Sequence, residues 1–159
     1  MTIQEIKKRL MSQAIFLSEG EISQKLTVIG YDKQFRWSWF ATQLNTFVFA
    51  TDFGDGTITE QTIETFLAEA FDYAKKHYTG WPRGFQSALG VIAILMSKSV
   101  DDNAARYCRE LKAAKKWAGF SVPVAVNTRS NQTFSFDRNP LWGRIYYPYF
   151  KKMIEEIVV

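Results

Sequence analysis

Few residues in this chain are placed for chemistry. Residues 54–59, Gly-Asp-Gly-Thr-Ile-Thr, match the middle of a twelve-residue calcium loop. Gly56 falls at the sharp turn, Ile58 two places later, and Asp55 on a ligand position. In that frame the first, third and twelfth positions are Thr51, Phe53 and Thr62. A phenyl ring cannot ligate, and Thr62 supplies no carboxylate, so no metal site is expected. Gly54 and Gly56 instead permit a turn, and Thr57-x-x-Glu60 reads as a helix capping box. The lone histidine, His77, follows Lys75 and Lys76, as in a cationic last turn of a helix. The lone cysteine, Cys108, lies on an apolar stripe with Ala104, Tyr107 and Leu111 and reads as a buried thiol. Neither a phosphate-cradling Walker loop nor G-x-G-x-x-G is present, so no cofactor is implied.

Basic residues give a second candidate. At 100° per residue, Arg106, Arg109, Lys112 and Lys116 centre on the side of a helix opposite its apolar stripe. Such a face is a solvated surface or a surface for nucleic acid or another polyanion. Charge is unevenly spread, which permits that partner. Residues 1–79 hold 8 Lys/Arg against 10 Asp/Glu, or −2, and residues 80–159 hold 12 against 6, or +6.

These groups must be positioned by one domain, residues 1–159, with 47% hydrophobic and 23% charged residues. The longest apolar run, Ala88 to Met96, is too short to span a bilayer. A cytoplasmic protein without membrane attachment is the expectation. Thr2-x-x-Glu5 caps a first helix whose apolar positions run Ile3, Ile6, Leu10, Ala14 and Leu17, with Gly20 as its stop. Three extended runs, 25–31, 35–40 and 45–50, suit an antiparallel meander. A second helix presents Ile63, Phe66, Leu67, Ala70, Phe71 and Ala74 on one stripe. A buried strand at 88–96, a third helix at 102–118 closed by Gly119, strands at 120–126 and 132–136, and a helix from Pro148 complete the chain. The order α-β-β-β-α-β-α-β-β-α implies an α/β domain of three layers around a mixed sheet.

That order makes strands 47–50, 88–96 and 120–126 parallel, with their carboxyl ends on one edge. Open α/β sheets bind ligands there. The residues leaving those ends are Asp52 and Asp55, then Ser97, Lys98 and Ser99, then Asn127, Thr128 and Arg129. They form the candidate small-ligand site, although Ser99 also suits a cap for helix three.

Over residues 1–97 the order α-β-β-β-α-β resembles the core of restriction-endonuclease-like nucleases. The resemblance implies an Asp on the second strand and a Glu/Asp-x-Lys on the third, holding magnesium. The third strand here, Asn45-Thr-Phe-Val-Phe-Ala50, has no acid and no lysine, and Gly54 follows Asp52 where the lysine would stand. At most a degenerate core is implied. Three functions therefore stay open: a non-catalytic binding or assembly module, a nucleic-acid-associated protein, and a small-ligand binder or enzyme. Trp142-Gly-Arg-Ile-Tyr-Tyr-Pro-Tyr-Phe150 is the expected surface of a homodimer, since aromatics are 16% of the chain.

Overall fold

The computed structural model describes residues 1–82, 86–111, 119–138 and 143–159. Helix α1 (Ile3–Ser12) precedes a meander of β1 (Phe16–Ile22), β2 (Lys25–Arg36) and β3 (Thr42–Asp52), with a 3-10 turn at Trp37–Trp39. Helix α2 (Glu60–His77) leads to β4 (Ser87–Ser97), and α3 (Asp102–Glu110) precedes β5 (Gly119–Asn127). β6 (Gln132–Phe134) and α4 (Tyr147–Val158) follow. The six strands lie side by side in chain order, β1 to β6. β1–β2, β2–β3 and β5–β6 are antiparallel, whereas β3–β4 and β4–β5 are parallel.

Layering follows from handedness. The connections through α2 and α3 step the same way along the sheet, so right-handed crossovers put both helices on one face. There Ile63, Phe66, Ala70, Ala104, Tyr107 and Cys108 pack on Ile29, Phe47, Phe49, Val91, Ala93 and Leu95. The opposite face is covered by α1 and α4: Ile6, Leu10, Phe150, Met153, Ile154 and Ile157 pack on Val28, Val48, Ile92, Ile94, Val122 and Val124. β4 is buried along its whole length, as a central strand covered on both faces must be. Gly90 serves a close approach: a Cβ there would lie 2.8 Å from Phe150 Cε1.

Several boundaries differ from expectation. Thr2 and Glu5 do form the capping box, but α1 stops at Ser12 and Ala14 turns left-handed (φ 58°). Phe16–Ile22 is then a strand with Gly20 inside it. Tyr31-Asp-Lys is no turn, because β2 runs on to Arg36 paired with β3 throughout. Thr59, and not Thr57, caps α2 by accepting the Thr62 N–H. Asp101, and not Ser99, caps α3: its carboxylate accepts the Ala104 N–H at 2.6 Å. That helix closes at Leu111 (φ 49°), and residues 112–118 lie outside the described residues. Asp101→Ala should cost about 1 kcal/mol of stability, as loss of an N-cap does, with Ser99→Ala well below that. Chemical denaturation of the two variants checks the assignment, and equal losses would reverse it.

Candidate functional site

At the carboxyl ends of β3, β4 and β5 the expected residues do come together, though most of them build the loops. The Asp52 carboxylate accepts the Gly54 N–H at 2.8 Å. The Ser97 hydroxyl points between the carbonyls of Gly54 and Gly56 and accepts the Ser99 N–H at 3.1 Å. The Thr57 hydroxyl donates to Ser99 Oγ at 3.2 Å. The Asn127 carboxamide oxygen accepts the N–H groups of Arg129 and Ser130, and the Thr128 N–H donates to the Ser97 carbonyl. Charge remains on the surface. Lys98 Nζ is 2.9 Å from Asp55, both well exposed. The Lys98 hydrogen bond and charge, with a smaller contribution from Arg129, hold the Asp55 carboxyl below its ordinary value.

Of the basic helix face, Arg106 and Arg109 are described and exposed. Arg106 donates to Asn103 Oδ1 at 2.7 Å, and the Arg109 guanidinium stands 5.0 Å from the Phe134 ring. Lys112 and Lys116 lie outside the described residues, as does Trp142. Of the tail aromatics expected at a dimer surface, Tyr147 and Phe150 are buried, and Tyr146 and Tyr149 are half-buried against the core. Cys108 is buried, and burial pushes its thiol up to about 12. His77 stacks on Tyr73 at 3.9 Å in the last turn of α2.

The largest unexpected feature is at the opposite, amino edge of the parallel strands. The end of β2 and the turn after it carry an aromatic corner. Trp37 and Phe40 are 80% and 81% exposed, with Phe35 and Trp81 at 40% and 43%. Phe35 joins them: its ring lies edge-on to Trp37 at 5.3 Å and tilted against Trp81 at 5.8 Å. A polar ladder fixes the Trp81 loop to the sheet. The Tyr31 hydroxyl donates to the buried Asn45 Oδ1 at 2.6 Å and accepts the Thr79 N–H. The Trp81 N–H donates to Gln43 Oε1 at 2.9 Å. Phe40 and Ala41 both hold left-handed backbone (φ 54° and 55°), a conformation that costs non-glycine residues about 1 kcal/mol each. The ring of Phe40 is thus projected outward by a backbone its side chain disfavours.

Pattern reading missed this corner because Phe35, Trp37 and Trp39 alternate as a strand does. In the folded chain only Phe35 is on the strand, and Trp39 turns inward, buried against Tyr146 and Tyr149.

The fold and its surface define a three-layer α/β protein with an ordered six-strand mixed sheet and an exposed aromatic corner. No family model, no curated protein and no solved structure matches the chain. Asp32 on β2 pairs in register with Thr46 on β3, where neither Thr46 nor the neighbouring Val48 is an acid or a lysine. Among the described residues no three His, Cys, Asp or Glu side chains converge, and no described helix is long and apolar enough to cross a membrane.

Proposed function

We propose that the protein is a non-catalytic assembly module whose contact surface is the aromatic corner of Phe35, Trp37, Phe40 and Trp81, with a second copy of the chain as partner. The exposure of these four rings carries the reading. Aromatic side chains dominate the buried centres of protein interfaces, and fully burying a large apolar side chain is favourable by about 1.5–3 kcal/mol. The fold itself gains little of this from Trp37 and Phe40. Its backbone instead presents them at the β2–β3 connection.

The test is light scattering across a concentration series. The wild-type chain should self-associate, and the double variant Trp37→Ala/Phe40→Ala should be monomeric. Its unfolding free energy should change by less than about 0.5 kcal/mol, as expected for exposed positions. A wild-type monomer at the highest concentration, or an assembly unaffected by the double variant, would reject the reading.

A further inference from the structure

The other face of the same strand end carries a cavity of about 320 Å³ between β2 and α4, within the size range of small-molecule sites. It owes its character to strand periodicity. Val28 on this face is core, yet Asp32, Gln34 and Arg36, at every second position, are polar and line the cavity. Positions two apart on a strand are about 7 Å apart, so the backbone under this row spans about 13 Å, but Tyr149 draws the charged ends together, its hydroxyl on Asp32 and its ring 5.7 Å from the Arg36 guanidinium.

Each member of the row is held. The Asp32 carboxylate accepts hydrogen bonds from Gln34 Nε2 at 3.1 and 3.2 Å, and from the Tyr149 hydroxyl. The buried Thr46 hydroxyl also neighbours that phenol. The Arg36 guanidinium lies 4.7 Å from the Trp39 ring and 5.7 Å from that of Tyr149, so two aromatic rings flank it. Among the described residues no carboxylate is within ion-pair distance of it. A guanidinium with its donors unspent on protein acids suits a carboxylate gripped by two parallel hydrogen bonds. From α4, Lys152 and Glu156 add a second, exposed pair of opposite charges at the rim, 3.6 Å apart.

We propose that this cavity binds a small zwitterion of the amino-acid type, its carboxylate on Arg36 and its ammonium toward Asp32 and Glu156. This site is distinct from the aromatic corner and does not depend on self-association. Burial and the Asp32 contact keep the Tyr149 phenol protonated, so it serves as a neutral wall that donates its hydrogen bond to Asp32.

The probes are the free α-amino acids, tested singly by calorimetry and melting temperature, with acetate as the anion alone and methylammonium as the cation alone. At least one amino acid should bind saturably at millimolar or lower concentration, with both half-probes at least roughly tenfold weaker. Arg36→Gln should weaken that binding by roughly tenfold or more, the scale expected for a lost charge-assisted contact. Arg36 is exposed, so this variant should fold. Asp32→Asn should weaken the same amino acid but leave acetate unaffected. The proposal is overturned if no amino acid saturates, if acetate binds as tightly as the best amino acid, or if Arg36→Gln binds unchanged.

Discussion

Phe150→Ala should lower the unfolding free energy by about 3–5 kcal/mol, the range for removing a buried aromatic. The ring is fully buried. It packs against Phe120, Tyr147 and Tyr149 at centroid distances of 5.7 to 5.8 Å and fills the space over Gly90. Alanine would leave a void walled by a sheet that cannot collapse onto a helix anchored along its length. The measurement is a urea titration in which the midpoint falls and the slope holds. A loss under about 1 kcal/mol would mean that this helix is an interface element and not part of the core. A partner variant sharpens the test. Gly90→Ala should destabilise the native chain, because its Cβ meets the ring, and should be better tolerated beside Phe150→Ala. Such coupling is the mark of two groups sharing one space.

Alkali should unfold the protein early. Burial pushes the Cys108 thiol from its ordinary 9.0 up to about 12, only partly countered by a backbone hydrogen bond at Ala125 and by Arg109. Tyr149 is likewise raised, first by burial and then by the hydrogen bond and charge of Asp32. Both groups are neutral when protonated and stay so in the folded chain while the unfolded chain releases its protons. Above pH 9.0 the folded state therefore holds more protons, and stability falls as pH rises. The expected slope is about 1.4 kcal/mol per pH unit from Cys108, and it steepens above pH 10, where Tyr149 joins together with Tyr107 and Tyr147, both pushed up by burial. Below pH 9 neither group contributes. Denaturant midpoints measured from pH 8 to 11 should trace this bend. Cys108→Ala should remove its first part and Tyr149→Phe should lessen its second, leaving the share of Tyr107 and Tyr147, whereas a flat profile to pH 11 would contradict both assignments.

Long periodic elements were legible in the sequence. The stripe of α2 is the buried one, β4 is apolar because helices cover both its faces, and Pro148 stands in the first turn of α4. The parallel run of β3, β4 and β5 followed from the crossovers. The failures have local causes. Ala14 and Leu17 continue the helical spacing of α1, but Ala14 is the left-handed residue that ends it and Leu17 is an exposed strand residue. Composition could not separate a turn at Tyr31-Asp-Lys from a strand whose polar side chains find partners, because the Tyr149 hydroxyl that satisfies Asp32 comes from residues far along the chain. The loop bonds at the candidate site were not legible: Ser97 and Asn127 also hydrogen-bond loop backbone. The row Asp32, Gln34, Arg36 becomes visible only once β2 is known to be one long strand.

Side-by-side strand order has a consequence for synthesis. Among the described strands none is inserted between two earlier ones, so each can dock on its predecessor as it leaves the ribosome. Roofing does not keep pace with that growth. α2 and α3 arrive between strands and cover their face as the sheet widens, but α4 follows β6. Val48, Ile92 and Val122 must wait for it, with only α1 over part of their face. A nascent chain halted after β6 would thus display a broad apolar sheet on one side and a finished surface on the other. That intermediate is the form most exposed to chaperones and to aggregation.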